Sequence, residues 1–300
     1  MKRILSARYL SHRLGVPLPQ LRKLAKEITK HYRQRDYIDE EKGKTRKLKV
    51  PDHKLKLVQR RVLRRILDPY PLPDVAHGGV KGKSPRTNAA QHCGKTLVVS
   101  MDIRNFFPSV SHHQVAKMFQ REFGCGREAR WLLTRLTTID GCLPQGTPTS
   151  TAIANIVLAT TVDKKMENLA QESQVALTRF VDDFGISGAR ATLLINGTAQ
   201  AASRVGLSVW RKRKKLKIMP ASRRQEITGL NVNSPDGPSV SQEKRDRIRA
   251  AIHQLRNLPA SEVSKAIQSI RGRLNHLNQY NPGAASRLHK QFDRVLRERK

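Results

Sequence analysis

Two adjacent aspartates, Asp182 and Asp183, lie between two short apolar runs and constrain the fold more than any other feature of the sequence. The first run ends in Phe180 and Val181, and the second begins at Phe184. Aromatic and β-branched residues favour strands, and acidic residues favour the turn between them. The pattern predicts a β-hairpin with two carboxylates at its tip. Taken alone, such a pair is usually a solvated turn, so other segments must decide between the two interpretations.

A third acid, Asp102, follows a nearly continuous apolar run that begins at Leu97. Such runs are typical of buried strands, where an unpaired carboxylate is costly. Asp102 therefore requires a cation or a water-filled cleft beside it. We expect the strand to continue through Phe106 and Phe107 and to end at Pro108.

The charge of the chain points to a polyanionic partner. There are 58 lysines and arginines against 24 aspartates and glutamates, a formal net charge of +34. Such an excess repels itself unless it is neutralised, and nucleic acid is the default partner. A merely basic soluble protein and an acidic membrane surface are the alternatives. No apolar run reaches the ~18–20 residues of a membrane span, and no signal peptide opens the chain. The three scattered cysteines lack zinc spacing and fit a reducing cytosol, so we expect a cytoplasmic protein without membrane contact.

Periodicity and turn residues predict the other elements. Helices are expected over residues 21–28, 55–66, 115–123, 127–137, 150–158 and 193–205. The highly charged segment 33–50 predicts a turn or hairpin in solvent, and 226–237 predicts a strand and a turn. The Gly-rich basic segment 77–92 predicts a loop that could approach phosphates through its backbone, Lys81 and Lys83. After about residue 240, three basic amphipathic helices predict a small bundle, with Asn281 capping the last one.

The acids belong to separate elements, as nucleotidyl transfer requires. That chemistry uses carboxylates that hold two divalent cations ~3.5–4 Å apart. One cation activates the attacking hydroxyl, and both stabilise the charge that develops on the phosphoryl and pyrophosphate groups.

From Thr45 to the end, the order and content of these segments resemble a reverse transcriptase. VSMDIRNFFPSV resembles the first catalytic motif, LPQGTPTS the motif whose glutamine (Gln145) lines the nucleotide pocket, and FVDD the Tyr/Phe-x-Asp-Asp box. The resemblance implies an α+β right-hand polymerase fold, with fingers, a palm of antiparallel sheet packed on helices, and a helical thumb. We expect fingers within 1–96, palm at 97–110 and 141–237, fingers or palm helices at 111–140, and thumb at 238–300.

Further motifs resemble those of bacterial retron reverse transcriptases. NAAQH (Asn88–His92) resembles their Asn-Ala-x-x-His signature, and ITGLNVN (Ile227–Asn233) resembles their Val-Thr-Gly motif. There are two departures. The box reads Phe-Val instead of Tyr-Ala, which keeps the aromatic residue. The segment WRKRKKLK leaves open whether Arg213, Lys214 or Lys215 contacts the nucleotide.

The resemblance also implies residue roles. Asp102, Asp182 and Asp183 would be the catalytic residues and hold two Mg²⁺ ions, and Phe107 would exclude a 2′-hydroxyl as a steric gate. Gln145, Arg46 and Lys215 would contact the incoming nucleotide. The expected RNA-binding residues are Asn88, His92, Thr228, Gly229, Arg271 and Arg273.

The implied partners are dNTPs and one structured noncoding RNA, which such enzymes reverse-transcribe from a guanosine 2′-hydroxyl. The product is a branched RNA–DNA hybrid (msDNA), commonly used in antiphage defence with a separately encoded effector protein. Two alternatives stay open. One is another bacterial reverse transcriptase of the group II intron-like, diversity-generating or abortive-infection type, and the other is a non-catalytic nucleic-acid-binding protein on the same scaffold.

Overall fold

The computed structural model describes residues 3–39, 43–210 and 215–299. In the N-terminal part, the elements are α1 (Ala7–Leu14), α2 (Leu18–Lys26), β1 (Tyr32–Asp39), β2 (Lys44–Pro51), α3 (His53–Val62), α4 (Pro85–Ala90) and β3 (Leu97–Asp102). In the middle are α5 (Phe106–Ser109), α6 (His112–Phe123), α7 (Arg127–Thr137), α8 (Ser150–Leu158), α9 (Lys164–Glu172), β4 (Ala176–Phe180), β5 (Asp183–Ser187) and α10 (Leu194–Ser203). The last elements are β6 (Lys217–Pro220), β7 (Glu226–Ile227), β8 (Leu230–Asn231), α11 (Gln242–Gln254), α12 (Ala260–Tyr280) and α13 (Pro282–Glu298).

A four-stranded antiparallel sheet, the central sheet, lies at the middle of the fold in the order β4-β5-β3-β6. The hairpin predicted around the two aspartates is confirmed, but its two-residue turn is Val181–Asp182 and not the aspartate pair. Phe180 pairs with Asp183, which is the first residue of β5. Strand β3 lies inside the sheet between β5 and β6. Its sequence is apolar on both faces because a hydrophobic cluster packs on each of them.

Two hydrophobic clusters enclose the central sheet. Val99 and Met101 of β3 belong to a cluster shared with α1–α3 and α6–α10, whereas Val98 belongs to a second cluster. Successive residues of a strand point to opposite faces of the sheet, so adjacent residues of β3 pack in different clusters. The second cluster consists largely of apolar residues from β7, β8 and α11–α13, and Met219 of β6 joins it. The C-terminal bundle (α11–α13) is thereby attached to the central sheet by apolar packing.

The predicted hairpin at 33–50 is confirmed as an antiparallel pair, β1–β2, in which Tyr37 and Ile38 are exposed. The helix predicted at 127–137 has the predicted bounds, and that at 115–123 begins three residues earlier, at His112. Ser111 and Gln114 form a capping box that fixes this earlier start.

Two predictions about local structure were wrong, and a third was right in position. Strand β3 ends at Asp102 rather than Pro108, because Asn105 adopts a left-handed conformation (φ 47°) and α5 begins after it. The segment 77–92 is not wholly a loop, because Ser84 caps a short helix, α4, with proline in its first turn. The start of α13 is as predicted, with Asn281 at the N-cap and Pro282 in the first turn. The Asn281 side chain does not bond to the helix, because its amide oxygen accepts a hydrogen bond from the Val240 amide at 2.7 Å.

The segment 226–237 forms a short hairpin, β7–β8, where a single strand and a turn were expected. Thr228 and Gly229 make its turn, and both have positive φ. Within the described ranges, no helix combines the length and apolar character that crossing a bilayer requires.

Candidate active site

The end of β3 and the β4–β5 turn bring Asp102 and Asp182 together. Asp102 stands opposite Asp183 in the strand register, and the Ile103 amide donates a hydrogen bond to the Asp182 carbonyl at 3.0 Å. Burial, and after it the charge of Asp102, raise the pKa of the Asp182 carboxyl to about 6. Two carboxylates so placed repel each other, and a shared cation relieves the repulsion.

Asp183 is placed differently from the other two acids. It opens β5, its side chain is exposed, and the three aspartates do not form a group that could hold a metal ion in this conformation. Its predicted role as a metal ligand and catalytic residue therefore stays a prediction. For Asp102 and Asp182, the hard carboxylate oxygens, the close approach and the raised pKa all fit a divalent cation.

Lys215 lies at the same site. Its ammonium donates a hydrogen bond to the Asp102 carboxylate, and the Trp210 amide donates to the Asp102 carbonyl at 3.0 Å. The residues on either side of 211–214, Trp210 and Lys215, are thus both attached to Asp102 at the end of β3. Of the three basic residues considered for nucleotide contact, Lys215 reaches the site, whereas Arg213 and Lys214 lie outside the described residues.

Phe107 lies on α5, shortly after Asp102 in the chain. It is half-buried and packs on the buried Phe106, with 5.4 Å between ring centroids. A half-buried ring held by a buried one has the rigidity that a steric gate needs. Its contact with a nucleotide stays a prediction.

The loop that carries Gln145 is joined to the β1–β2 hairpin. The Lys49 amide donates to the Gln145 carbonyl at 2.9 Å, and a Cβ on Gly146 (φ 102°) would lie 3.3 Å from the Leu48 Cβ. The hairpin therefore packs closely on the loop. Arg46 lies farther out on β2 and is exposed, so its predicted triphosphate contact depends on a ligand that approaches the hairpin.

A buried ion pair behind the hairpin was missed by sequence reasoning. Arg179 and Asp163 have fully buried side chains and form a bidentate pair, at 2.8 Å (Nε to Oδ1) and 2.6 Å (Nη2 to Oδ2). Arg179 also donates to Asn155 Oδ1 at 2.8 Å and to the Val181 carbonyl at 2.9 Å. In the sequence, the only sign of this ion pair is an arginine within a predicted strand, and that does not identify its partner.

Asn88 and His92, expected to bind RNA, are buried. His92 Nδ1 shares a 2.7 Å hydrogen bond with Ser187 Oγ, and Nε2 shares another of 2.7 Å with Thr178 Oγ1. Burial lowers the pKa of His92 to about 3, so the ring is neutral at physiological pH. Neither side chain reaches the surface in this conformation, and a direct RNA contact for them stays an untested prediction that burial disfavours.

Thr228 and Gly229 are half-buried in the β7–β8 turn. Thr228 Oγ1 donates to the Pro85 carbonyl at 3.2 Å, and Lys244 donates to the Gly229 carbonyl at 2.9 Å. The turn therefore connects α4 to the C-terminal bundle. Its predicted RNA contact is not tested by this geometry.

Arg271 and Arg273 are exposed on α12, as a role in RNA binding requires. Arg273 also lines a cavity of about 450 Å³ between α11 and α12. The cationic or polar lining residues of this cavity are Lys244, Arg247, Arg273 and His276.

The Gly-rich segment 77–92 packs inward at its start rather than toward solvent. Gly78 lies against the Val181 backbone, and Gly79 (φ 71°) lies against Thr151. Lys83 pairs with Asp74, at 3.5 Å. The expectation that the backbone of this segment approaches phosphates is therefore wrong for Gly78, which is buried, and stays a prediction for the exposed Gly79.

Residues 29–232 match the family model described as reverse transcriptase (RNA-dependent DNA polymerase). The chain belongs to the reverse transcriptase family. Its fold is the α+β right-hand polymerase fold predicted from the sequence, and members of this family generally use divalent metal ions, which fits the pair of Asp102 and Asp182.

Its curated relatives include retron reverse transcriptases. It is 32% identical over 272 residues to the Retron Mx65 reverse transcriptase of Myxococcus xanthus, covering 84% of this chain and 62% of that protein. It is 29% identical over 266 residues to the Retron Ec86 reverse transcriptase of Escherichia coli, covering 87% and 80%. The chain spans 62% and 64% of the lengths of the two Myxococcus xanthus relatives, Mx65 and Mx162.

Among solved structures, the chain is similar in fold to telomerase from Candida albicans, which was solved in complex with a fragment of telomeric RNA. The TM-score is 0.50 at 9% sequence identity, over 92% of this chain and 59% of that one.

Proposed function

We propose that this protein is an RNA-directed DNA polymerase of the retron type. The observation that carries the proposal is the pair formed by Asp102 and Asp182 at the ends of the two inner strands of the central sheet. In this pair, a carboxyl of raised pKa lies beside a second carboxylate. The similarity to retron reverse transcriptases supports the subclass. The β1–β2 hairpin would belong to the fingers, the central sheet to the palm and the C-terminal bundle to the thumb.

In this proposal, Asp102 and Asp182 would hold two Mg²⁺ ions, and Asp183 would be a further ligand. Bound there, Mg²⁺ would activate the attacking hydroxyl and stabilise the charge on the departing pyrophosphate. The attack forms a bond between the primer oxygen and the α-phosphorus of the dNTP and breaks the bond to pyrophosphate. The proton of the hydroxyl is lost to solvent or to a nearby base.

The surrounding residues would orient the nucleotide. Lys215 would leave Asp102 and contact the nucleotide phosphates, and Arg46 would approach the triphosphate with its forked donors. Gln145 would support the nucleotide and the template base. Phe107 would lie under the sugar and exclude a 2′-hydroxyl, because its ring occupies the space that the extra oxygen needs.

The substrate we propose is one cognate structured noncoding RNA, primed from a guanosine 2′-hydroxyl to give a branched RNA–DNA hybrid. The net charge of +34 supports a polyanionic partner of large size. RNA is recognised mostly by shape and backbone, and exposed arginines such as Arg271 and Arg273 suit that mode. We further propose that the hybrid acts in antiphage defence together with an effector protein.

Nucleic acid recovered with the protein tests the subclass. The protein is co-expressed with the noncoding RNA encoded beside it, and the bound nucleic acid is purified and treated with debranching enzyme. We expect a 2′,5′-branched species that shifts to linear DNA only after debranching. Recovery of linear cDNA from unrelated templates would instead support another bacterial reverse transcriptase, and recovery of RNA without cDNA would support a non-catalytic binding protein.

A further inference from the structure

Val181, at the tip of the β4–β5 hairpin, has a backbone conformation that its residue type disfavours. It is the first of the two turn residues and has φ 61°, in the left-handed region. Hairpin turns with a positive φ at this position usually have glycine there. In valine, the branched Cβ crowds the backbone in this conformation, and such a residue persists only where its surroundings hold it.

The buried side chain of Arg179 supplies one such restraint. Its Nη1 donates to the Val181 carbonyl at 2.9 Å and to Asn155 Oδ1 at 2.8 Å. Its other two nitrogens are occupied by the bidentate pair with Asp163. The guanidinium is therefore fixed in orientation by two side chains from the α8–α9 region, and one of its donors is directed at the turn.

The backbone of Gly78 supplies the second restraint. A Cβ on Gly78 would lie 2.4 Å from the Val181 amide nitrogen, so only glycine allows this approach. Asn155 Nδ2 donates to the Gly78 carbonyl at 2.8 Å, and thus binds both Gly78 and Arg179. The segment is also joined to β4, because the His77 amide donates to the Arg179 carbonyl at 2.8 Å.

We propose that Arg179 is a positioning residue. Together with Asp163, Asn155 and Gly78 it forms what we call the hairpin clamp. The clamp holds the turn at Val181 and so directs the side chain of Asp182 towards Asp102. The inference rests on the proposed polymerase function. A buried ion pair contributes little to stability, because the cost of removing both charges from water offsets their attraction. A bidentate pair at this place is better explained by the hydrogen bond that it directs at Val181.

The decisive variant removes both charges together. In Arg179→Met/Asp163→Leu, apolar side chains replace the ion pair, a change that is often neutral for stability. A merely structural pair would leave kcat unchanged in this variant. The hairpin clamp predicts a fall of about 100-fold in kcat for single-nucleotide extension, since a small displacement of a reacting group has an effect of that size. Binding of the RNA template and primer is expected to be unchanged.

A second variant distinguishes positioning from general damage. Arg179→Lys keeps a cation beside Asp163 but loses the fork that reaches Val181 and Asn155, so we expect a similar loss of kcat. Adding Val181→Gly to it should recover about tenfold, because glycine adopts a positive φ without the restraint. Leu133→Ala is the matched control: Leu133 is fully buried on α7, away from the hairpin, and its loss lowers the melting temperature while kcat stays unchanged.

Hydrogen exchange of the peptide that covers residues 176–187 gives a readout that does not require activity. We expect faster exchange in Arg179→Lys, reversal on adding Val181→Gly, and no change in peptides from α12 and α13. If the wild type synthesises no DNA, the proposed function fails, and the exchange data alone still test the clamp. The inference would be overturned if both Arg179 variants had the same kcat and the same exchange rate as the wild type. It would also be overturned if adding Val181→Gly did not restore kcat.

Discussion

The ammonium of Lys215 contacts the carboxylate of Asp102 at the edge of the paired acids. The Lys215 side chain is 38% exposed to solvent and the Asp102 side chain is 13% exposed, so the contact lies at the mouth of the site. The charge of Lys215 also lowers the pKa of Asp182, against the larger effects of burial and Asp102. A side-chain cation thus partly neutralises the carboxylates at the place where we propose that Mg²⁺ binds, and the two cations compete.

Lys215→Met should therefore increase the stabilisation that Mg²⁺ gives to the protein. A ligand that binds only the folded state stabilises it by an amount that rises with the logarithm of its affinity, and removing the competing ammonium raises that affinity. For tenfold tighter binding, the melting temperature would rise by about 2–4 °C more in the variant than in the wild type. Thermal melts with and without Mg²⁺ measure this, and Lys217→Met, an exposed neighbour on β6, is the control. Equal shifts in the two variants would contradict competition at Asp102.

Phe107→Ala should weaken discrimination against ribonucleotides. Loss of the ring opens the space that a 2′-hydroxyl needs, and steric discrimination of this size changes selectivity by about 10–100-fold. The measurement is kcat/KM for dNTP and for the matching ribonucleotide in single-nucleotide extension, with Phe107→Tyr as the variant that keeps a ring. Unchanged selectivity in Phe107→Ala would mean that the ring only packs on Phe106.

His92 should make the fold less stable in acid. Its pKa is about 3 in the folded protein, because burial disfavours the charged ring, and ~6.5 in the unfolded chain. The unfolded chain binds more protons between these values, so stability is complete above pH ~6.5 and falls as the pH decreases. The expected loss from pH 7 to 5 is about 2 kcal/mol.

Denaturant unfolding of the wild type and of His92→Gln at both pH values isolates this contribution. His77, whose pKa is lowered to about 4 mainly by burial, acts in the same direction in both proteins and cancels from the difference. If the two proteins lose the same free energy of unfolding between these pH values, the neutral, buried state of His92 is wrong.

Arg273→Gln should weaken binding of the cognate RNA in a salt-dependent way. A cation that contacts phosphate releases counterions, and its removal reduces the slope of log K against log[salt] by about 0.7–0.9. Arg249, which pairs with Asp246 on α11, provides the control substitution Arg249→Gln. A reduced slope in the control but not in Arg273→Gln would place the RNA elsewhere on the bundle.

The sequence predicted the parts of the site that depend on local order. Asp102 at the end of an apolar run and the Asp pair between two strand-forming runs each follow from neighbouring residues, and the register then joins them. The hairpin at 33–50 was predicted because the high charge of this segment is a local signal.

The features that the sequence did not reveal depend on distant contacts. Arg179 finds Asp163 across sixteen positions of sequence, and the pair becomes recognisable only when α8, α9 and β4 are packed. The backbone at Gly78 was expected to approach phosphates, because sequence alone does not reveal that Val181 occupies the space beside it. His92 was expected at an RNA surface because its motif is associated with RNA recognition, whereas its partners Thr178 and Ser187 lie on the central sheet.

The most direct test of the account is Mg²⁺-dependent primer extension on an RNA template by the wild type and by Asp182→Asn. Asparagine keeps the shape of the side chain and removes its charge, and the proposed role depends on the charge. We expect the wild type to synthesise DNA and Asp182→Asn to fall to background while its RNA affinity stays near that of the wild type. Synthesis by Asp182→Asn at the wild-type rate, or no synthesis by the wild type on its cognate RNA, would contradict the account.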